Sequence, residues 1–466
     1  MTRIITRFAP SPTGNLHIGS ARTALLNYIV TKQIPSSKLY LRIEDTDKKR
    51  SKAEFTQNII DGLSWLGISW EDKIQIQSKR ISRHQEIAKI LLEKKLAYKC
   101  ICSEDKLKER RETIKTNKNI SKKICTECKY DDEIQNLSDG FVVRIKLPDE
   151  GELIIKDKIQ GNVKVNNKEL DDFILVRKDQ SPTYMLSVVV DDNDLGINFI
   201  IRGDDHLNNT FRQNFIYKFL NWNIPEYAHI PLIHGEDGSK LSKRHGAIDL
   251  LDFKKNGYLK EAVINNIILL GWSPKNKDEI IDLEEIINLF DIKKLSKSSS
   301  IFSYKKLDFF NNYYLRKSSG FDKFENYCLS NTKLKKLIQN NRYKMELIFQ
   351  TYKKDLNNFR EISNIADVYF DENYKFNREE KFSDEFESIY NDFLEMISNI
   401  ENWTRDIIQK KIDDFLKIKN LKFPILGKPT RFLLINSYNG PSISDIFVIL
   451  GKKVTLDRLN QYISKN

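Results

Sequence analysis

The chain has 466 residues, 40% of them hydrophobic, which is enough for two to four domains with buried cores. Its net charge of +12 fits a polyanionic partner such as a nucleic acid, although a lysine-rich codon bias would give the same balance. The longest apolar run, Val263 to Trp272, is too short to cross a bilayer, and the start shows no signal-peptide pattern. We therefore expect a cytoplasmic protein rather than a membrane-spanning one.

The first residues predict a strand, a tight loop and a helix. Residues 2–8 are short and β-branched, residues 21–30 carry apolar side chains at helical spacing, and two prolines and a glycine lie between. At the start of that helix, free N–H groups and the positive end of the dipole favour a phosphate. His17 is placed there to donate to a phosphate oxygen, and Gly19 lets an adenine or ribose approach the backbone. An ordinary turn with a capping histidine is the alternative.

The same residues carry a family resemblance. The string Pro10 to Ser20, PSPTGNLHIGS, resembles the HIGH signature of class I aminoacyl-tRNA synthetases, in the form used by bacterial glutamyl-tRNA synthetases. The resemblance covers nearly the whole chain. It implies an α/β fold, with a Rossmann-type parallel-sheet catalytic domain split by an α+β insertion and followed by an all-helical anticodon-binding region. It also implies a glutamate–tRNA ligase, which uses ATP and Mg²⁺ to form glutamyl-adenylate and transfers glutamate to the 3′ end of tRNA.

A second strand, Leu39 to Ile43, leads into the acidic run Glu44 to Asp47, at the strand end where α/β sheets place ligand contacts. A carboxylate suits an ammonium group, and the resemblance implies that Glu44 holds the amino group of glutamate. The other acids of the run are equally explained as a solvated turn that caps the next helix. Arg7, at the end of the first strand, is suited to a bidentate contact with a carboxylate.

Arg202 lies in a later predicted strand and resembles the second carboxylate-binding arginine of the family. Two arginines at one site, Arg7 and Arg202, would favour a dicarboxylic substrate. A neutral amino acid would leave one buried guanidinium group unpaired, which is costly. Val188 stands where relatives often have Asn or Ser, so one contact with the amino acid is in doubt. The resemblance implies the following glutamate contacts: Arg7, Ala9, Ser11, Glu44, Tyr184, Val188 and Arg202.

A basic loop, Ser239 to Gly246, follows the predicted strand His229 to Ile233 and resembles the KMSKS loop of the same family. Pyrophosphate leaves with growing negative charge, which a positioned lysine stabilises most in the transition state. We assign that catalytic role to Lys243, helped by Lys240 and, across the triphosphate, by His17. The resemblance implies the following ATP contacts: Ser11, Thr13, His17, Gly19, Asp205, Ile233 and Lys243.

A closer literal match to KMSKS occurs later, at Lys294 to Ser298. It follows a predicted helix, Leu283 to Phe290, and not a strand and a turn. We therefore expect a solvated linker there rather than a second triphosphate loop.

Between the two halves of the predicted sheet lie four of the five cysteines. Cys100 and Cys102 form a CxC pair and Cys125 and Cys128 a CxxC pair, a set that suits one tetrahedral Zn²⁺, with free or vestigial thiols as the alternative. Some members of the resembled family use a His or Tyr as fourth ligand, so the role of Cys128 stays open. Short strands from Phe141 to Val176 predict a small α+β insertion, which in that family grips the acceptor end of tRNA.

From Leu307 onward the pattern is helical and rich in Lys and Asn. The resemblance implies an anticodon-binding region of the bacterial glutamyl type, in which Arg431 falls where the family has an arginine that reads an anticodon base. An arginine suits a bidentate base contact. The tRNA specificity, for glutamate tRNA alone or also for glutamine tRNA, stays open, and a monomer is expected.

The sequence thus predicts four domains in five segments, and one function with two rival functions. The segments are the first half of the Rossmann domain (1–97), the insertion (98–180), the second half (181–239), a stem-contact domain with the KMSKS-type loop (240–306) and the helical region (307–466). One rival is a relative that glutamylates a modified tRNA base, but such relatives lack the helical region. The other is a paralogue that binds tRNA without catalysis, against which His17, Gly19, Lys240 and Lys243 argue.

Overall fold

The structure is a computed structural model that describes residues 3–116, 122–241, 249–274, 278–377 and 379–463. Lys243, to which we assign a catalytic role, lies outside the described residues. The chain forms two compact units, one of residues Met1–Lys254 and Lys260–Leu307 and one of residues Lys255–Leu259 and Asp308–Asn466. The finer division into five segments stays a prediction.

The strands that the structure describes all lie in the first unit. In chain order they are β1 (Ile5–Phe8), β2 (Lys38–Ile43), β3 (Glu71–Ile76), β4 (Ala97–Cys100), β5 (Val142–Ile145), β6 (Glu152–Asp157), β7 (Gly161–Asn166), β8 (Ile174–Val176), β9 (Phe199–Gly203), β10 (Glu226–Ile230), β11 (Ile233–His234) and β12 (Ser300–Ile301). The helices of the first 300 residues are α1 (Ile18–Lys32), α2 (Ala53–Leu66), α3 (Ile81–Glu93), α4 (Glu104–Thr116), α5 (Asp132–Gln135), α6 (Tyr184–Asp194), α7 (Leu207–Phe219), α8 (Leu250–Lys255), α9 (Lys260–Ile268) and α10 (Leu283–Leu289).

Parallel strands form the centre of the first unit. One sheet has the order β1-β2-β3, and β9, β10 and β6 run parallel in a second sheet of order β7-β6-β10-β9. The residue before β9 joins the two sheets, because Asn198 donates its backbone N–H to the carbonyl of Ile5 and accepts the N–H of Ile5 on its side chain. The carboxyl ends of β1, β2 and β9 are therefore brought to a common edge.

The insertion is built into this arrangement rather than appended to it. Its antiparallel sheet has the order β4-β5-β8, while its hairpin β6–β7 extends the second parallel sheet through the pairing of Asp157 with Tyr227. One hydrophobic core runs through both parts and includes Ile155 of β6, Val189 of α6 and Ile200 of β9. These parallel strands, their split by the insertion and the helical end of the chain confirm the predicted fold class.

The second unit is helical. Its helices are α11 (Tyr304–Leu315), which begins in the first unit, α12 (Gly320–Ser330), α13 (Thr332–Asn340), α14 (Arg342–Tyr352), α15 (Phe359–Phe370), α16 (Asp384–Ser398), α17 (Arg405–Ile418), α18 (Phe423–Ile435), α19 (Ile443–Leu450) and α20 (Lys452–Ile463). Their apolar faces meet in aromatic contacts such as the stacked rings of Phe324 and Phe349, 5.2 Å apart. Among the helices described in either unit, none has the length and hydropathy that a bilayer span needs.

Candidate active site

A cleft of about 1240 Å³ opens at the common edge of the parallel strands. It brings together all but two of the predicted ATP and glutamate contacts, namely Arg7, Ala9, Ser11, Thr13, His17, Gly19, Glu44, Tyr184, Arg202, Asp205 and Ile233. Lys240, which we predict to assist catalysis, lines the same cleft. One exception, Val188, is only 2% exposed and lies one turn beyond Tyr184 in α6, within the hydrophobic core. The other is Lys243, which the structure does not describe. The motifs that are far apart in sequence therefore line one cavity.

His17 caps helix α1 and also offers a hydrogen-bond donor to the cleft. Its Nδ1 accepts the backbone N–H of Ser20, 3.2 Å away, so it caps α1, and its Nε2 lies 3.1 Å from the Ser20 hydroxyl. Partial desolvation inside the cleft lowers the pKa of His17, and the charge of Lys240 lowers it further, against the opposing effect of Asp205. A neutral ring whose Nδ1 accepts carries its proton on Nε2. The ring thus offers a donor beside the N-terminus of α1, where a phosphate would bind.

A tight turn delivers Lys240 to the same cleft. The backbone N–H of Gly235 donates to Ser239 and that of Leu241 to Ile233, so the residues after the turn pair back onto β11. On the far side of the undescribed segment, Asp249 pairs with the backbone of His17. The cation of Lys240 and the donor of His17 therefore face one cavity from separate elements.

The second KMSKS-like string has a different place. Lys294 ends a short 3₁₀ turn and is exposed, and Lys297 donates to the carbonyl of Gln160, 3.2 Å away. None of the residues from 294 to 298 lines the cleft. This agrees with the expectation that the string is not a triphosphate loop.

Buried ion pairs organise the glutamate side of the cleft. Asp192 lies between two guanidinium groups, 3.1 Å from Nε of Arg7 and 2.6 Å from Nη1 of Arg42. Arg42 also holds Glu44, with 3.0 Å between Nη2 and Oε1. All four side chains are at most 7% exposed. Burial raises the pKa of Glu44, against the charge and hydrogen bond of Arg42, so an added cation such as a substrate ammonium would favour its ionised form.

Arg202 differs from these arginines because its partners are neutral. Its Nε lies 3.2 Å from Nε2 of His229, its Nη2 reaches Thr210 and Gln213, and its Nη1 lies 3.3 Å from the Tyr184 hydroxyl. In the part of the chain that the structure describes, no carboxylate lies within 4 Å of this guanidinium. Arg202 is 5% exposed and lines the cleft. A carboxylate ligand would supply the negative charge that the described residues around Arg202 do not provide.

The sequence analysis missed His206 as a cleft residue. Its Nδ1 lies 3.0 Å from the Tyr184 hydroxyl, and the two ring centroids are 5.6 Å apart. Burial lowers the pKa of His206 to about 4, with a further contribution from the charge of Arg202. The neutral ring therefore accepts from Tyr184 and orients that hydroxyl. The available signal was its place directly after the strand that carries Arg202.

Arg431, the predicted anticodon contact, is tied to its own unit. Its Nε donates to the carbonyl of Pro441, 3.0 Å away, and its Nη1 to that of Tyr438, 2.8 Å away. The side chain is 9% exposed. These bonds hold the loop after α18, and a role in reading an anticodon stays a prediction.

The four clustered cysteines converge as predicted. Their Sγ atoms lie within 4.8 Å of one another, and Cys102 Sγ is 3.6 Å from those of both Cys125 and Cys128. A tetrahedral Zn²⁺ with bonds of about 2.3 Å sets its sulfur ligands about 3.8 Å apart. Cys128 lies within ligand distance of the other three thiols, and the four cysteines together are a donor set that fits a closed structural zinc site.

Comparison with known families agrees with this geometry. The profile described as tRNA synthetases class I (E and Q), catalytic domain, matches residues 3–309. The profile described as anticodon binding domain matches residues 321–463. Between them, these two matches account for nearly all of the chain.

Individual relatives match over the full length. Glutamate–tRNA ligase 2 of Wolbachia sp. subsp. Brugia malayi (strain TRS) is 40% identical over 474 residues, which cover 98% of this chain and 99% of the relative. Glutamate–tRNA ligase 2 of Zymomonas mobilis is 39% identical, with 99% and 97% covered. A solved structure of a glutamate tRNA ligase from Elizabethkingia meningosepticum, in complex with its amino acid, has a TM-score of 0.85 at 27% identity and covers 99% of both chains.

The buried ion pairs give a prediction about stability. Asp192→Asn should lower the free energy of unfolding by about 3–5 kcal/mol, because two buried guanidinium groups lose their shared counter-charge. The matched control is Asp194→Asn on the same helix, since Asp194 pairs with Arg80 and Arg83 near the surface and should cost no more than about 1 kcal/mol. Urea unfolding followed by circular dichroism measures both changes. Equal losses in the two variants would contradict the central position given to Asp192.

Proposed function

The chain belongs to the class I tRNA synthetases of the E and Q type, and on this premise we propose how its cleft performs the reaction of a glutamate–tRNA ligase. Full-length relatives carry that activity in their names, and all but two of the predicted ATP and glutamate contacts line one cavity here. The observation that carries the proposal is the buried Arg202, which faces this cavity without a carboxylate partner among the described residues. We also propose that the protein is cytoplasmic and monomeric, as expected from the sequence.

In the first step the α-carboxylate of glutamate attacks the α-phosphorus of ATP. A bond forms between a carboxylate oxygen and the α-phosphorus. The bond between the α-phosphorus and the oxygen that bridges to the β-phosphate breaks, and pyrophosphate leaves with that electron pair. His17 Nε2–H and the N-terminus of α1 bind phosphate oxygens, and Lys240 and Lys243 stabilise the charge on the leaving group. No side chain becomes covalently attached, because positioning and charge stabilisation suffice.

Glutamate lies across the two arginine sites. Arg202 takes the side-chain carboxylate, and Arg7, whose Nε is held by Asp192, keeps its Nη atoms for a substrate carboxylate. Glu44 accepts from the ammonium group, and Ala9 and Ser11 line the same cleft. Glutamine would leave the buried charge of Arg202 without a counter-ion, so the cleft favours glutamate.

In the second step the terminal ribose hydroxyl of tRNA attacks the carbonyl carbon of the adenylate and releases AMP. The cleft is bordered by basic side chains that suit the phosphates of an incoming 3′ end, namely Lys48, Lys49, Arg50 and Arg177. The helical second unit is the anticodon-binding region, in which Arg431 contacts an anticodon base. Glutamate tRNA is the expected substrate, with glutamine tRNA as a further possibility.

Two metal ions belong to the proposal. The Mg²⁺ that accompanies ATP neutralises phosphate charge and needs oxygen ligands. Asp205 suits it or the ribose, since it is exposed in the cleft near His17. Cys100, Cys102, Cys125 and Cys128 would hold a structural Zn²⁺, which would connect β4 to the segment before α5.

Charging of purified tRNA tests the function. With labelled glutamate and ATP, the protein should charge glutamate tRNA. Charging of that tRNA alone would define a discriminating ligase, whereas charging of glutamine tRNA as well would require an amidotransferase to repair the product. If a folded protein charges neither tRNA, the ligase proposal fails and the tRNA-binding paralogue is favoured.

The role of Lys240 gives a kinetic prediction. Lys240→Ala should lower kcat for adenylate formation by about 10²-fold, because one group that stabilises developing charge is lost. The KM for glutamate should change little, since Lys240 faces the triphosphate. ATP–pyrophosphate exchange with tRNA present measures both constants. The control Lys294→Ala, in the exposed second string, should keep the full rate, and a comparable loss there would contradict the assignment.

The cysteine cluster predicts one zinc per chain. Protein purified without added metal should contain it by elemental analysis, and Cys100→Ala should reduce the content to about a tenth or less because a closed site needs all four ligands. Cys328→Ala is the matched control, since Cys328 is also buried but lies in α12. Absence of zinc from the unaltered protein would favour free thiols instead.

A further inference from the structure

Arg202 is a long side chain whose guanidinium group must be held in one place to meet a substrate carboxylate. Among the described residues, Arg202 is held by neutral hydrogen-bond partners and not by a counter-ion. Of these partners, one accepts from its Nε atom. That partner is His229, whose Nε2 lies 3.2 Å away. Neither His229 nor its own partner Asp157 lines the cleft. Whatever these two residues do for the substrate, they do through Arg202.

The hydrogen bonds fix which nitrogen of His229 carries a proton. Its Nδ1 lies 2.7 Å from Oδ2 of Asp157, and an ionised carboxylate only accepts, so Nδ1 donates. In the neutral ring, Nε2 is then left with its lone pair. Nε of Arg202 always donates, so it requires that lone pair. Thr210 Oγ1, 2.9 Å from the same nitrogen, also binds Nη2 of Arg202.

The surroundings favour the neutral ring. Burial lowers the pKa of His229, and the charge of Arg202 lowers it further, while Asp157 and Asp204 raise it and do not reverse the shift. The ring is fully buried and stacks on Tyr227, with 5.9 Å between centroids. A proton on Nε2 would point at the N–H of Arg202. The tautomer of His229 therefore decides whether Arg202 is held or repelled.

Asp157 is itself fixed from several directions. It ends β6, and its carboxylate accepts the backbone N–H groups of Ile159, Gln160 and His229 in addition to the imidazole. Burial alone would raise the pKa of Asp157, but these hydrogen bonds lower it, so the residue stays ionised. The carboxylate reaches His229 because β6 pairs with β10. A residue of the insertion thus sets the orientation of a ring beneath the cleft.

We propose that Asp157 and His229 are positioning residues that hold Arg202 for the side-chain carboxylate of glutamate and so set the selectivity for glutamate over glutamine. The inference rests on the proposed function, since it takes the cleft to bind glutamate. A carboxylate placed directly on Arg202 would neutralise the charge that attracts the substrate. An imidazole aligned by a more distant carboxylate orients the same guanidinium group and leaves its charge available.

Asp157→Asn in the full-length protein tests the proposal. The new amide can donate to Nδ1 of His229, which moves the imidazole proton to Nε2 and sets it against Arg202. ATP–pyrophosphate exchange with tRNA present is measured with glutamate and, separately, with glutamine. We expect kcat/KM for glutamate to fall about 10- to 100-fold, the ratio of glutamate to glutamine to fall about 10-fold or more, and the KM for ATP to stay unchanged.

Two further variants make the result specific. His229→Gln, introduced beside Asp157→Asn, offers an oxygen near the former Nε2 that accepts from Arg202 without depending on a tautomer. It should restore much of the lost selectivity. The matched control is Asp171→Asn, also in the insertion, whose carboxylate pairs with Arg212 at the surface. It should leave the selectivity ratio unchanged.

The selectivity ratio separates the possible outcomes, because misfolding reduces the rates for both amino acids equally. If Asp157→Asn lowers activity or stability but leaves the ratio unchanged, the pair is merely structural and the inference is overturned. Failure of the His229→Gln variant to recover any selectivity would also overturn the tautomer argument. If the unaltered protein activates no glutamate, the proposed function itself fails, and that result is distinguishable from the other two.

Discussion

The rest of the cleft depends on one buried carboxylate, that of Asp192 between Arg7 and Arg42. Two guanidinium groups at the ends of neighbouring strands would repel each other and pay a desolvation cost of several kcal/mol each. The shared carboxylate of Asp192 offsets this repulsion and desolvation cost, and it joins β1 and β2 to α6. Since Arg42 also holds Glu44, the same interaction places the carboxylate that we assign to the substrate ammonium.

Parallel strands then supply the geometry that such a charge network needs. Their carboxyl ends lie at one edge, so β1, β2 and β9 each present a polar residue to the same space. The N-terminus of α1 lies at that edge too, with His17 as its cap. A ligand that carries both phosphates and carboxylates can thus be bound from a helix end and from three strands.

Much of this arrangement could be predicted from the sequence, because the residues that contact the ligand sit in short motifs next to strand ends. His17, Glu44 and Arg202 were all identified in this way. Their supports could not be predicted, since Arg42 and Asp192 are 150 positions apart. A short sequence motif does not show which distant residue its side chains will contact in the fold. The doubt about Val188 had a physical basis, because an apolar side chain at that turn of α6 packs into the core.

The two substrate arginines are held in opposite ways, and the difference follows from their tasks. Arg7 keeps a permanent counter-ion, so it can bridge the network and the ligand without remaining an isolated charge. Arg202 is bound by an imidazole, a hydroxyl, a phenol and an amide, which orient it, and none of the carboxylates in the described ranges lies close enough to compensate its charge. A buried charge of that kind destabilises the free protein and is relieved only by an anionic ligand. A substrate carboxylate therefore gains binding energy at Arg202 that an uncharged substrate side chain of the same shape does not gain.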